Sequence, residues 1–502
     1  MRVALINPAF EGKWVQIHPL EETLPVYAGG ISPPLGLLYV ATVLAREGTD
    51  VIFLDNDVQR MSVEETVKRL NKEDLDIAGF SIQVESCFNA HETARKLKEL
   101  NPNVKILYGG PLTTTYPERL MRKYDFVDFL IRGEGEYATL NLVQTLERNG
   151  DLSSVKGLAY REGGKVRFNP PSPLIENLDE LPFPDRKLLG AQYDAVLPLE
   201  DFIAKFCVGK YTSLLSSRGC PYTCRFCYTG SLGKGIWRCR SPQNVVDELE
   251  MLDCEGYGHV YFVDDNFAVD ERRVVEICRL IRQRGLDLYW SVETSVKNLS
   301  GNMVKEMKSA GCEAILFGIE SGSQKILDYY GKPITPNESA LAVRKARKAG
   351  ISAIVGTFIL GAPIETREEI RATLKFARSI DLDGAIFFPL MVIPMTSIWH
   401  ELKEQGYLTQ GLEEQYWEHS KYVWDILHTN VEKSELLSLM EEGYEKFFWK
   451  PDFVPKLIIR NTRHKFRRLW AARNLSSVPA LAKSILITRI RRFKQSHRKP
   501  LA

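Results

Sequence analysis

The sequence predicts an α/β protein with two parallel sheets in succession and a helical end, on three observations. Residues 1–150 alternate short Val-, Ile-, Leu- and Phe-rich runs with helix-period stretches, the β-α-β-α pattern of a doubly wound parallel sheet. From about Tyr211 the alternation resumes and holds to about residue 400, and beyond that the strand signals fade into helical periodicity. A chain of 502 residues exceeds one core, since domains run to roughly 100–200 residues. The expected organisation is therefore a first domain over 1–150, a connector over 151–210, a second domain over 211–400 and a helical region over 401–502. Hydrophobic content of 44% with 26% charged residues suits a folded globular protein and excludes a disordered or fibrous one.

The opening MRVALINPAF reads as a strand, with no basic-then-apolar leader pattern. DVIFLD, IAGFSI, VKILYGG and FVDFLIRGEGE are the further strands of the first sheet, with helices such as SVEETVKRLNKE and FNAHETARKLKELNP between them. The longest apolar run, AGGISPPLGLLYVATVLA, is about as long as a membrane span. Pro33 and Pro34 interrupt it, so a turn followed by a buried amphipathic helix is expected and no membrane span. Ligands of such sheets bind beyond the carboxyl ends of the strands. Those ends carry INPAF, LDND, SIQVES, GGPLTT and RGEGE, whose glycines either let a ligand approach the backbone or make tight turns. The hairpin-like VKGLAYREGGKVRFNP and the proline-rich NPPSPLIENLDELPFPD make up the expected connector.

In the second domain the strand-like runs are YTSLLSSRG, HVYFVDDNF, LYWSVETS, AILFGIESG, SAIVGTFILG and AIFFPLMVIP, each followed by a helical stretch. Six βα units are fewer than the eight of a closed barrel. An open, partial (β/α)6 barrel of the TIM type is expected.

The chemistry concentrates after the first of these strands, in SSRGCPYTCRFCYTG. Nine cysteines, scattered except for Cys220, Cys224 and Cys227, argue against a disulfide framework and for a reducing, cytoplasmic compartment. Thiolates are soft ligands that suit zinc, copper(I) and iron–sulfur clusters. Structural zinc takes four protein ligands, and no fourth Cys or His stands at zinc spacing: Cys239 is twelve residues on and the next histidine is His259. A [4Fe–4S] cluster held by three cysteines leaves one iron open to a small molecule. The open-iron cluster fits the spacing best; zinc and coincidentally close buried thiols are the competing readings.

RGCPYTCRFCYTG resembles the cluster loop of the radical S-adenosylmethionine superfamily: C-x-x-x-C-x-x-C with an aromatic, here Phe226, before the last cysteine. The resemblance covers roughly 211–400. It implies that Cys220, Cys224 and Cys227 hold the cluster, whose open iron binds S-adenosylmethionine so that reduction releases a 5′-deoxyadenosyl radical. It further implies S-adenosylmethionine contacts from Phe226 and Tyr228, from Asp264, Asp265 and Asn266 of VDDNF, from Glu293 of SVETS, from Glu320 and Ser321 of GIESGSQKIL, and from Gly361 of GTFILGAPIET. Asp264 and Asp265 have a competing reading as helix caps before DERRVVEICRLIRQ. Glu320, by contrast, would be a costly unpaired charge in the barrel mouth unless it served a ligand. Cys312 reads as a packed core thiol.

The order of ISPPLGLLYVATVLAREG, VIFLD, GFSI, ILYGGPLTT and VDFLIRGEGE resembles the cobalamin-binding domain fused ahead of many members of that superfamily, over about 1–145. Neither G-x-G-x-x-G nor a P-loop pattern supports a nucleotide-binding alternative. The resemblance implies cobalamin contacts from Pro34, Gly36, Gln83, Glu85, Ser86, Gly109, Gly110, Gly133, Glu134 and Gly135. It departs from the D-x-H-x-x-G type, because His18 and His91 lie in other contexts; His91 reads as packing or surface. A cobalt without a histidine ligand is then implied, with SIQVES beneath the corrin. Together the two resemblances imply hydrogen abstraction followed by methyl transfer to an unactivated carbon, with an electron donor such as flavodoxin or ferredoxin. A cyclase-type radical reaction, as in Mg-protoporphyrin ester cyclisation, is the enzymatic alternative, and a cofactor-binding regulator or scaffold the non-enzymatic one.

From Phe453 to Ala502 there are fourteen Lys and Arg and no Asp or Glu, leaving the rest of the chain at a net −12. KLIIRNTRHKFRRLWAARN and LAKSILITRIRRFKQSHRK mix these charges with Ile and Leu, which suits peripheral contact with an anionic membrane. Nucleic-acid binding is the rival for the same charges, without a recognisable motif; a solvated helix pair is the third reading. A membrane-associated enzyme would suit a lipid or other hydrophobic small-molecule substrate.

Overall fold

The structure is a computed structural model and describes residues 1–9, 33–189, 210–297, 299–413 and 430–448. It separates into two compact units, one formed mainly by residues up to about 196 and the other mainly by those after it. The basic stretch from Phe453 to Ala502 lies outside the described residues.

The first unit is a seven-stranded sheet in the order β2-β1-β3-β4-β5-β6-β7. Its strands are β1 (Arg2–Asn7), β2 (Asp50–Asp55), β3 (Ile77–Ser81), β4 (Lys105–Gly109), β5 (Phe129–Ile131), β6 (Leu158–Glu162) and β7 (Lys165–Phe168). β1 to β5 are parallel, and their near-continuous burial follows from helices lying over both faces. Helix α1 (Leu35–Arg46) starts directly after Pro34 and is largely buried, as expected for the second part of the interrupted apolar run; the part before Pro33 lies outside the described residues. α2 (Val63–Leu70) opens with a Ser62/Glu65 capping box, α3 (Cys87–Leu100) follows β3, and α4 (Glu136–Glu147) starts at Gly135. The hairpin β6–β7 falls within the stretch read as connector, yet it pairs antiparallel to β5 and extends this sheet.

The second unit carries a six-stranded, wholly parallel sheet in the order β15-β14-β13-β12-β11-β8. Its strands are β8 (Lys210–Leu214), β11 (Tyr257–Phe262), β12 (Tyr289–Ser295), β13 (Cys312–Glu320), β14 (Ala353–Leu360) and β15 (Gly384–Pro389), matching the six expected runs. A two-stranded antiparallel ribbon, β9 (Ser217–Gly219) with β10 (Trp237–Cys239), stands beside it. The helices are α5 (Tyr228–Gly233), α6 (Pro242–Cys254), α7 (Glu271–Arg284), α8 (Gly301–Ser309), α9 (Gln324–Tyr329), α10 (Pro336–Ala349), α11 (Arg367–Ser379), α12 (Ser397–Glu404) and α13 (Lys433–Phe448). Ser241, Asp270, Ser300, Thr335, Thr366 and Thr396 cap six of them, satisfying backbone donors at the helix starts.

Alternation along the strands sorts the side chains into two faces. Val260, Phe262, Trp290, Val292, Ile315, Phe317, Ile354 and Phe358 form one core with the helices. The other face carries the side chains described below. α13 covers the edge at β15, where the Tyr444 hydroxyl accepts from Phe387 N–H at 2.9 Å and donates to Phe387 C=O at 3.2 Å. The edge strand is thus satisfied by a side chain instead of a further strand.

Candidate functional site

The three-cysteine loop follows the ribbon. Gly219, just before Cys220, has φ +84, and a Cβ there would lie 2.2 Å from the Ile236 carbonyl oxygen. Only glycine lets the chain turn from β9 into the loop against β10. The ribbon is tied down by Asp264, which lies just beyond β11. Its carboxylate accepts from Ser216 N–H at 2.7 Å, Ser216 Oγ at 2.5 Å and Ser217 Oγ at 2.6 Å. All three residues are buried, and burial, opposed by the Arg273 charge, pushes the Asp264 carboxyl up from its ordinary range. Arg273 continues the brace, donating to the carbonyls of Arg240 and Ser216 at 3.0 and 2.7 Å. Neither Asp264 nor Asp265 caps the following helix; Asp270 does, accepting from the amides of Arg272 and Arg273. Asp265 accepts from Gly219 N–H at 3.0 Å and Thr229 Oγ1 at 2.8 Å, on either side of the cysteines. Asn266 accepts from Thr294 Oγ1 at 2.8 Å and points its amide at Cys220 Sγ, 3.9 Å away. VDDNF therefore holds the loop at three points.

The thiols influence one another: Cys220 and Cys227 both act on Cys224. Burial pushes the Cys224 thiol up to about 11, against the pull of Lys332. Burial likewise raises Cys227, opposed by the amides of Gly230 and Thr229 in the first turn of α5, where Tyr228 is the first residue. Burial therefore opposes the thiolate form, and a bound metal's positive charge would have to offset it for these thiols to ligate. All three are free of disulfides. Among the described residues no three His, Cys, Asp or Glu side chains gather as a set for a single metal ion.

Between the second and third cysteines, Arg225 and Phe226 fasten the loop to the far wall. Arg225 N–H donates to Tyr330 C=O at 2.8 Å; its guanidinium reaches Tyr329 C=O at 3.0 Å and Glu401 of α12 at 2.5 Å. The Phe226 ring meets the buried Tyr330 edge-on at 5.0 Å. On that wall Glu320, at the end of β13, pairs with Lys332 at 2.8 Å, both nearly buried. Ser321 is fully buried, its hydroxyl against Thr373 Oγ1 at 3.0 Å while it accepts from Ser323 N–H. Gly361 stands beyond β14, its N–H held by Glu365 Oε2 at 2.5 Å, while Glu365 Oε1 is buried with no partner. Burial, stronger than the two amides that bond it, pushes Glu365 up to about 7.

The face of the sheet opposite the helical core has two halves. β11 and β12 carry His259, which bonds Ser291 Oγ at 3.0 Å, and Tyr261, whose hydroxyl donates to Glu293. Burial raises the Glu293 carboxyl, opposed by Tyr261 and reinforced by Asp265 and Glu320. β14 and β15 carry Ile359, Ile386 and Phe388, paired in register as Thr357 with Ile386 and Ile359 with Phe388; Phe388 is 41% exposed. Polar groups thus line one half and apolar groups the other.

In the first unit, the expected residues fall at the carboxyl ends of the strands. Gly109 ends β4 and Gly133 follows β5, and a Cβ at either would meet nothing within 4 Å. That open space is what a ligand approaching the backbone requires. Pro34 and Gly36 flank the start of α1. Gln83 and Ser86 bond each other around the short turn Val84–Ser86, which contains Glu85. Gly110 has φ +99 and lies against Ile82, and Glu134 accepts from Ile175 N–H at 2.6 Å. Gly135 starts α4 with its Cα 's missing Cβ position 3.3 Å from Val40 of α1. His91 is packing: Nδ1 bonds the Tyr108 hydroxyl at 3.0 Å, its ring stacks on Tyr124, and burial pushes it down to about 3. His18 lies outside the described residues.

Sequence reasoning missed Arg225, Lys332 and Glu365. Arg225 was within reach, standing inside the cysteine loop; the other two become visible only when β13 and β14 are side by side.

Comparisons with known proteins bear on the family and the fold. Residues 214–377 match the Radical SAM superfamily and residues 24–143 the B12 binding domain. The chain is 35% identical over 464 residues to the uncharacterized methyltransferase PH0819 of Pyrococcus horikoshii, covering 92% of this chain and 97% of that one. It is 28% identical to the anaerobic magnesium-protoporphyrin IX monomethyl ester cyclase of Rubrivivax gelatinosus, over 90% of this chain and 78% of the relative. In fold it is similar to the radical S-adenosylmethionine methyltransferase TsrM from Kitasatospora setae, with a TM-score of 0.63 at 20% identity over 80% of this chain and 75% of that one.

Proposed function

Because the chain belongs to the radical S-adenosylmethionine superfamily, among the members that carry a B12-binding domain, we propose that it transfers a methyl group to an unactivated carbon of a hydrophobic small molecule. When bound, the [4Fe–4S] cluster and S-adenosylmethionine supply a hydrogen-abstracting 5′-deoxyadenosyl radical, and cobalamin carries the methyl group. The observation that carries the reading is the cysteine loop, tethered on one side by Asp264, Asp265 and Asn266 and on the other by Arg225 and Phe226. So many independent restraints on an eight-residue loop support its reading as a ligand loop, since a cluster with one open iron needs its three sulfurs held.

The chain's own groups then have separate tasks. Cys220, Cys224 and Cys227 hold the cluster. Asp265 and Asn266 keep Cys220 and the start of α5 in register. Tyr261 and Glu293 present polar groups to the nucleoside side of S-adenosylmethionine, and Gly361 leaves room beside it. Ile359, Ile386 and Phe388 form the wall against which an apolar substrate is held while water is excluded. In the first unit, Gly109 and Gly133 leave the backbone open to cobalamin. An electron donor such as flavodoxin or ferredoxin supplies the electron, in the cytoplasm, and the basic end of the chain rests on the inner membrane surface.

The similarity to the cyclase favours a second reading, in which the same radical drives ring formation without methyl transfer. The test is anaerobically reconstituted protein with S-adenosylmethionine carrying a labelled methyl group, reductant, and extracts of candidate substrates. Formation of 5′-deoxyadenosine with label in a product supports methyl transfer; 5′-deoxyadenosine with an unlabelled product supports the cyclase reading. Bound cluster and cobalamin without any 5′-deoxyadenosine, across substrates, would leave a scaffold.

A further inference from the structure

The segment after α9 carries a lysine to the cysteine loop. Tyr330 C=O accepts from Arg225 N–H at 2.8 Å, and a Cβ on Gly331 would lie 3.4 Å from Arg225 Cγ. Lys332 comes next, on a strip of chain locked against the residues between Cys224 and Cys227. Its ammonium bonds Glu320 Oε1 at 2.8 Å, with the Lys332 side chain 10% and the Glu320 side chain 8% exposed. The two atoms fill the space over Gly318, 3.0 and 2.7 Å from where a Cβ would stand. Glu320 adopts φ +64 to take part, a left-handed conformation costly for a residue with a side chain. A buried ion pair adds little net stability over an apolar pair of the same size, so the location of this one calls for another role.

We propose that the Lys332–Glu320 pair sets the electrostatic potential at the iron–sulfur site, the ammonium favouring the reduced cluster and the carboxylate moderating it. The inference rests on the reading that Cys220, Cys224 and Cys227 hold a cluster. Tyr330 and Gly331, the two residues before Lys332, pack on Arg225, the residue after Cys224, so the chain brings the ammonium to the cysteine loop. The Glu320 carboxylate, bonded at 2.8 Å, is the counter-ion that the buried Lys332 ammonium has in the fold. Reduction adds one electron from the donor, with no bond made or broken and no proton moved, so the reduced cluster is more negative by one charge. A cation beside it stabilises that form and an anion destabilises it. Lys332 is thus a positioning residue that acts through the cluster.

The test is the reduction midpoint of reconstituted protein without S-adenosylmethionine, measured beside iron and sulfide content. In K332M the ratio of reduced to oxidised cluster falls at least tenfold at a given potential, a drop of about 59 mV for a one-electron couple. E320Q shifts the midpoint the opposite way, and K332R stays near the wild type. Shifts of opposite sign from the two halves of one pair cannot come from loosened packing. Loaded K332M with an unmoved midpoint, or both variants moving in one direction, overturns the assignment. If K332M does not load, K332M/E320Q is compared with E320Q: a lower midpoint in the double variant supports the proposal and an equal one overturns it. A wild type that takes up no iron or sulfide overturns the cluster reading as well, whereas a loaded wild type with unshifted variants overturns only the role of the pair.

Discussion

Replacing Asp264 by alanine separates a brace from a cofactor contact. The carboxylate accepts three hydrogen bonds from Ser216 and Ser217, all buried, and balances the Arg273 charge. Hydrogen bonds to a charged group are worth about 1.5–3 kcal/mol each, and donors left buried without partners add to the loss. Some of the three are recovered by hydroxyl rotation or an entering water, so a net loss of about 4 kcal/mol is expected, roughly a thousandfold in the population of the closed loop. Because Asp264 anchors the ribbon that leads into Cys220, the loss falls on the cluster loop. The assay is paired: iron and sulfide per chain after anaerobic reconstitution, and S-adenosylmethionine affinity of the loaded fraction. D264A should load poorly and unfold at lower temperature, while whatever fraction loads binds S-adenosylmethionine with near-normal affinity. Full loading and unchanged thermal stability with weakened S-adenosylmethionine binding would refute the brace and restore Asp264 as a ligand contact.

Three further outcomes follow from the same geometry. G219A places a Cβ 2.2 Å from Ile236 O at φ +84, so the ribbon must part; iron and sulfide per chain should fall sharply, with a left-handed strain of about 1–2 kcal/mol added locally, as read by reconstitution and thermal melting. Glu365 is raised to about 7 from 4.5, so the folded protein holds a proton that the unfolded chain has released, and its contribution to stability is present below about 4.5 and lost as pH rises through about 7. E365Q should therefore match the wild type near pH 4.5 and exceed it above pH 7 by up to about 3 kcal/mol, as measured by denaturant melts across that range; equal curves would contradict the buried carboxyl. Y444F leaves Phe387 N–H and C=O without the hydroxyl that bonds both and should cost about 2 kcal/mol, seen as a lower melting temperature with cluster content unchanged.

Much of this fold is legible in the sequence because short runs rich in β-branched and aromatic residues alternate with helix-period stretches. The six runs from YTSLLSSRG to AIFFPLMVIP are the six strands of the second sheet. The cysteine loop is legible for a different reason, since three thiols at C-x-x-x-C-x-x-C spacing stand out from the six scattered cysteines. The hairpin at 158–168 shows its local pairing but not its neighbour, because the edge it joins is chosen by tertiary packing. Asp264 is visible as an acidic residue, yet its partner Ser216 lies 48 positions away, so capping, ligand binding and bracing look alike. Lys332 sits in an ordinary-looking GKPIT turn; only the register that sets Gly318 beneath it and the Arg225–Tyr330 bond beside it give it a role.

The measurement that tests the central claim most directly is electron–nuclear double resonance on the reduced, reconstituted protein with S-adenosylmethionine labelled with ¹⁵N at the amino group and ¹³C at the carboxylate. Strong coupling of both nuclei to the cluster spin is predicted, because three sulfurs leave one iron to chelate the methionine moiety. A cluster signal with no such coupling, or one that persists unaltered when Cys220, Cys224 and Cys227 are replaced by alanine, would contradict it.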